Sequence, residues 1–257
     1  MRVEGVSAII NLAAASISKR WTSTCKKQAL SSRVNTLRTL YSALEKVDRS
    51  NITLFVSASA IGLYPTSLSN FYTEEEKNVD DSFLGRIVKV WEKETDALEK
   101  LNLKVAKIRI GLVMSAKGGA LSEMAKPIKN YVGAAFGSGK QWQSWIHIFD
   151  LVRMFLFVIE NDLQGAYNGV GPNPVTNAKL VKEIAMVLEK PLLLPNIPKF
   201  VMKAILGEMS YLLFASQRVS GKKIEEKGFV FEYPSIRGSL ESLYGKGVYD
   251  DSSVLHR

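Results

Sequence analysis

The chain has 257 residues, 46% hydrophobic and 23% charged, which excludes a disordered or fibrous protein and suffices for one large or two modest domains with buried cores. A single cysteine, Cys25, excludes an internal disulfide and a cysteine-based zinc site, and it fits a reducing, cytoplasmic compartment. The formal charge of +9 does not indicate a nucleic-acid module, because the lysines alternate with acidic residues along helical stretches instead of clustering with aromatic stacking positions.

The opening run VSAIINLAA, residues 6 to 14, is apolar on both faces and is expected to form a buried strand, too short to span a membrane and without a signal peptide's basic lead-in. Residues 28 to 47 place Leu30, Val34, Leu37, Leu40, Tyr41 and Leu44 at helical spacing. A second strand is expected over 51 to 60, a helix over 83 to 102 with Lys and Glu on its outer face, and a third strand over 103 to 114. This alternation is the pattern of a parallel sheet covered by helices. Glycines then become frequent, WIHIFDLVRMFLFVIEN reads as a helix, AYNGVG as a strand, and prolines punctuate a smaller helical C-terminal region. Residues 1–114 with about 145–171 are expected to form the sheet domain. Residues 115–144 and 172–245 are assigned to a smaller substrate domain, and 246–257 to a polar tail.

Several blocks in order resemble the atypical extended short-chain dehydrogenases of the sugar-nucleotide-epimerase-like kind, within the NAD-dependent epimerase/dehydratase superfamily and with a C-terminal DUF1731-like domain. These are NLAAAS with KRW at 11 to 21, SRVNTLRTL at 32 to 40, SASAIGLY at 57 to 64, RIGLVMSAKGGAL at 109 to 121, GSGKQWQSWIHIFDL at 137 to 151, NGVGPNPVTN at 168 to 177 and LGEMSYLLFASQRV at 206 to 219. The resemblance implies an α/β, Rossmann-like doubly wound parallel sheet holding NADP or NAD at the strand carboxyl ends, with a small domain closing over an anionic substrate such as a nucleotide sugar. It implies an oxidoreductase or epimerase-like activity, with a catalytically silent dinucleotide-binding or scaffold protein, or a truncated remnant, as the alternatives. The family's Gly-rich strand-turn-helix has no counterpart before Arg2 and Val3, so the chain is expected to be N-terminally truncated, to bind cofactor weakly, and to leave a strand edge open to self-association.

Ligands in open parallel sheets lie beyond the strand carboxyl ends, so the candidate cofactor residues are Asn11, Leu12, Ala13 and Ala14 after the first strand, Ser57 after the second, and Arg109 and Gly111 at the third. Small residues at Ala13 and Ala14 suit close approach of a ribose and phosphates, and equally suit tight packing. Asn35 resembles an asparagine on the helix behind the site, or is simply solvated. Ser59 resembles the serine that hydrogen-bonds a substrate oxygen, and Tyr64 is the nearest tyrosine, so both are candidate catalytic residues. Arg109, inside a strand, either reaches a phosphate or pairs with an acidic neighbour. Trp142, Trp145 and Arg218 resemble the lining of a substrate cleft, with Arg218 the candidate anion holder and the core an alternative place for Trp145. His147 and Asp150 are read as a structural lead-in to a helix, and no metal site is expected. Anchored on Ser59 and Glu92, the family's catalytic tyrosine and lysine positions fall at Leu84 and Val88, neither of which titrates.

Overall fold

The computed structural model describes residues 5–245, so the tail from 246 to 257, with His256, and the segment around Arg2 and Val3 lie outside the described residues. In chain order the elements are β1 (Ala8–Asn11), α1 (Ser23–Glu45), β2 (Leu54–Ala60), β3 (Phe71–Tyr72), α2 (Phe83–Asp96), β4 (Lys104–Ile110), β5 (Leu112–Met114), α3 (Ala120–Lys129), β6 (Trp142–Gln143), β7 (Trp145–His147) and α4 (Ile148–Glu160). There follow β8 (Gly165–Gly169), β9 (Val175–Thr176), α5 (Asn177–Val187), α6 (Lys199–Leu206), α7 (Tyr211–Phe214), β10 (Arg218–Val219), α8 (Lys222–Glu225) and α9 (Ile236–Tyr244).

The main sheet is parallel, ordered β1-β2-β4-β8, a mixed α/β arrangement of Rossmann type. Its centre, β2, is buried from Leu54 to Ser59 because strands flank it on both sides and helices cover it. The main core joins Leu54, Phe55 and Val56 of β2 and Val105, Ala106 and Ile108 of β4 to Leu37 and Leu44 of α1, Trp91 of α2, and Leu151, Met154, Phe155 and Val158 of α4. A second cluster joins Leu121, Ala125 and Ile128 of α3, Leu180, Val181 and Ile184 of α5, and Ile236 and Leu240 of α9 around Trp145.

Four expectations are corrected. The first strand is short and lies at the edge of the described sheet: Ile10 is 41% exposed, and the chain leaves the sheet after Asn11 so that Leu12, Ala13 and Ala14 form an exposed loop. The first helix begins earlier, where the Thr22 hydroxyl accepts the Cys25 N–H as an N-cap. The expected third strand is two: Ile110 ends β4, and β5 leaves the main sheet to pair with β7. Gly111 is the break, since a Cβ there would overlap the Ser144 carbonyl oxygen and lie 2.7 Å from the Val170 side chain. The expected helix from 145 starts at Ile148, and the three preceding residues pair as β7 with His147 as the N-cap.

Candidate functional site

The carboxyl ends of β2 and β4 carry a closed polar network in an otherwise apolar layer. Arg109 and Glu92 form a fork-to-fork ion pair, Nε to Oε1 and Nη2 to Oε2, both 2.9 Å. Ser59 donates its hydroxyl hydrogen to Glu92 Oε1 at 2.6 Å. Arg109 Nη1 donates to the Tyr64 hydroxyl at 2.9 Å, and that hydroxyl donates to Asn168 Oδ1 at 2.7 Å. Asn168 in turn donates its side-chain amide to the Ser220 carbonyl and its backbone N–H to Glu74 Oε1 at 2.7 Å.

This mutual satisfaction sets the charges. Burial alone would raise the Glu92 pKa, but the Arg109 guanidinium and the Ser59 hydroxyl outweigh it and hold the carboxyl below its usual range. Burial pulls the Arg109 pKa down, and the Glu92 carboxylate overrides that and raises it. The Tyr64 hydroxyl is pushed up to about 12 by burial, against the opposing pull of Arg109. Glu74 is raised by burial.

The residues singled out from the sequence divide accordingly. Tyr64 is fully enclosed and stacks on Tyr72, its hydroxyl held between Arg109 and Asn168. Ser59 is also buried, with its hydroxyl hydrogen directed at the Glu92 carboxylate. Arg109 is the buried partner of Glu92 rather than a free phosphate ligand. Ser57 is wholly buried, donating to the Ala58 carbonyl and accepting from Asn11 Nδ2 at 3.2 Å. Asn11 shapes the turn by accepting the Ala13 N–H, and Leu12, Ala13 and Ala14 after it are exposed.

Asn35 points to solvent from α1, on the side away from Val34 and Leu37. Gly111 is the tight packing point already described. Trp145 is a core residue, wholly buried in the second cluster, with Nε1 donating to the Asn173 carbonyl at 2.9 Å. Asp150 is fully buried, accepts the Glu232 and Tyr233 backbone N–H groups and pairs with Arg153, which makes it a structural anchor. Leu84 and Val88 are buried and apolar on α2, while Lys89 is exposed.

Arg218 and Trp142 come together. The Arg218 guanidinium lies over two aromatic rings, 4.4 Å from the Trp142 ring centre and 5.0 Å from that of Phe71, and its buried Nε has no acceptor among the described residues. Trp142 is fixed by its Nε1 hydrogen bond to the Leu68 carbonyl. The neighbouring Gln217 donates to the Tyr64 carbonyl and Val219 N–H to the Ser144 hydroxyl, so Arg218 is held beside the carboxyl end of β4. Sequence reasoning missed Glu92 as Arg109's partner and Asn168 as the hub. The available signal was a glutamate on the apolar face of α2, the face that carries Val88 and Trp91.

Among the described residues no three His, Cys, Asp or Glu side chains converge as metal ligands, and no helix is long and apolar enough to cross a membrane. Residues 1–169 match the model of the NAD dependent epimerase/dehydratase family, and residues 197–243 match the domain of unknown function DUF1731. The chain is 37% identical over 243 residues to the epimerase family protein SERP0438 of Staphylococcus epidermidis, covering 94% of this chain and 81% of that protein. It is similar to the crystal structure of the human epimerase family protein SDR39U1 (isoform 2) with NADPH, at a TM-score of 0.85 and 28% identity, covering 93% of this chain and 82% of that one. The Bacillus cereus UDP-glucuronic acid 4-epimerase, in complex with UDP-glucuronic acid and NAD, shares the fold at a TM-score of 0.72 and 14% identity, covering 94% of this chain and 75% of that one.

Proposed function

The chain belongs to the NAD dependent epimerase/dehydratase family, and on that premise we propose that it binds NADP(H) or NAD(H) across the carboxyl ends of β1, β2 and β4, with an anionic small molecule of the nucleotide-sugar kind held by Arg218. The NADPH in the human structure supports the cofactor half of this reading, and the UDP-glucuronic acid in the Bacillus cereus structure is an example of the second ligand. The fit to a dinucleotide rests on the exposed loop after β1, where Leu12, Ala13 and Ala14 leave backbone accessible beside small side chains.

The observation that carries the reading is Arg218. A guanidinium stacked between Trp142 and Phe71, with no carboxylate partner among the described residues, keeps its charge and donors for a ligand, and its planar fork suits a phosphate or carboxylate. A bound nicotinamide supplies a hydride donor or acceptor. The chain itself contributes binding and orientation, while the usual titrating pair is replaced by Leu84 and Val88 and the Ser59 hydrogen is spent on Glu92. Those two features favour the reading in which the protein binds its ligands and turns them over slowly or not at all.

Isothermal titration of the whole chain with NADPH, NADH and UDP-glucuronic acid tests this. Binding of one dinucleotide is expected, together with UDP-glucuronic acid binding that Arg218→Met weakens about tenfold or more, the scale of one lost charged hydrogen bond. No heat from either dinucleotide would remove the cofactor half, and an undiminished response in Arg218→Met would remove the substrate half.

A further inference from the structure

Two buried arginines in this molecule are treated in opposite ways. Arg109 has every charged edge answered by Glu92, Tyr64 and the Glu74 carbonyl. Arg33, on α1 and only 8% exposed, has no carboxylate partner among the described residues. Its Nη1 donates to the carbonyls of Ala29 at 2.8 Å and Ala15 at 3.2 Å, and its guanidinium lies 4.9 Å over the Trp91 ring. Among the described residues the buried Nε has no acceptor, and neither does the buried indole Nε1 of that same Trp91. Nη2 makes no hydrogen bond to any described residue.

A buried cation without a counter-charge is destabilising, and unanswered buried donors add to that. The placement explains why it is kept. Ala15 is gripped twice by neighbouring residues of α1: its N–H bonds the Ser32 hydroxyl at 3.0 Å and its carbonyl accepts from Arg33. Arg33 is thereby fixed through Nη1 beside Ala15, directly after the exposed stretch Leu12, Ala13 and Ala14 at the carboxyl end of β1.

We propose that Arg33 is an anion-binding residue: its unbonded Nη2 takes a phosphate oxygen of the ligand that passes over Leu12–Ala14, with Trp91 as its backing plate. This rests on the reading that a dinucleotide lies at that strand end, and the phosphate is taken to be the dinucleotide's own.

The test compares the whole wild-type chain with Arg33→Met and Arg33→Lys by calorimetric titration with NADPH, nicotinamide mononucleotide, UDP and inorganic phosphate, alongside thermal melts without ligand. Arg33→Met is expected to weaken NADPH by about tenfold to a hundredfold. Its unliganded melting temperature is expected to equal or exceed that of the wild type, because an unanswered charge has been removed. An arginine kept only to pin Ala15 would give the reverse, a lower melting temperature with unchanged affinity, and that result overturns the proposal. Arg33→Lys is expected to fall between the two in affinity; if the Met variant does not fold, wild-type affinity in the Lys variant overturns the proposal instead. Arg33-dependent binding of inorganic phosphate or UDP, without binding of NADPH or the mononucleotide, keeps the anion site and removes the dinucleotide reading. Absence of binding by all four probes removes both.

Discussion

Arg109 and Glu92 face each other with side chains about 10% exposed or less, so neither charge is answered by water if the other is lost. Removing one partner of such a buried pair costs about 3 to 5 kcal/mol, whereas replacing both with apolar groups of similar volume is often close to neutral. Arg109→Met is therefore expected to lower the unfolding free energy by that amount, and Arg109→Met with Glu92→Leu to recover most of it. Urea denaturation of the four proteins in the cycle measures this, and a double variant as unstable as the single one would contradict it. His147 gives a second expectation at the same scale. Burial lowers its pKa, only partly opposed by Asp150, so the unfolded chain binds its proton more readily than the folded one. Stability is then fully present above the unfolded value of about 6.5 and falls as pH drops below it towards the folded value. His147→Asn retains an N-cap acceptor for the Phe149 N–H and removes this titration. Its stability profile between pH 7 and 5 should be flatter than the wild type's, and an equally steep profile would assign the slope to other groups.

At the scale of elements, the expectation that failed most informatively was a single strand over 103 to 114. Local apolarity continues through Gly111, and nothing in the spacing marks a break. The break exists because the Ser144 backbone presses against Gly111, 33 positions away, and because the Gly111 N–H bonds the Gly169 carbonyl while Leu112 N–H bonds the Ser144 carbonyl. Gly111→Ala is accordingly expected to destabilise the chain by about 1 to 3 kcal/mol through overpacking against backbone that has little room to move. A chemical denaturation midpoint unchanged from wild type would show that β5 and β7 can separate freely. Trp145 to His147 misled for a related reason: the apolar pattern runs unbroken into α4, while the strand depends on pairing with β5, which sequence periodicity does not report.

For the whole molecule, the sheet is of Rossmann type and the chain belongs to the NAD dependent epimerase/dehydratase family, and the resemblance puts that family's catalytic tyrosine and lysine at Leu84 and Val88. Leu84 and Val88 are packed into the core side of α2, so no side chain at those positions can move a proton or grip a ribose. General acid–base assistance is typically worth about a hundredfold to ten-thousandfold in rate. NADPH consumption with UDP-glucuronic acid or a simple carbonyl is therefore expected to be slower than that of a tyrosine–lysine dehydrogenase by about that factor. Spectrophotometric turnover at ordinary dehydrogenase rates, retained in both Ser59→Ala and Tyr64→Phe, would mean that the reacting centre lies elsewhere in the fold.

The alternation of short apolar runs with longer amphipathic ones was enough to determine a parallel α/β sheet, because the pleat and the helical turn impose periods of 2 and 3.6 on whatever lies against a core. It also placed the candidate residues at the strand carboxyl ends, whereas the strand it read as buried, β1, lies at the edge of the described sheet and β2 is the buried one. What it left open was who meets whom. Arg109 could have reached a ligand or a carboxylate, and only the packing of α2 against β2 and β4 brings Glu92 to it. Trp142 and Trp145 are three residues apart in the same block, yet one stacks on Arg218 and the other fills the second core, because β6 and β7 pair with different strands. Arg33 has the same composition signal as any helical arginine, and its lack of a counter-charge appears only when α1, α2 and the loop at Ala15 are brought together. Spacing records each residue's own element, whereas charge pairing and burial are set by neighbours that lie far away in the chain.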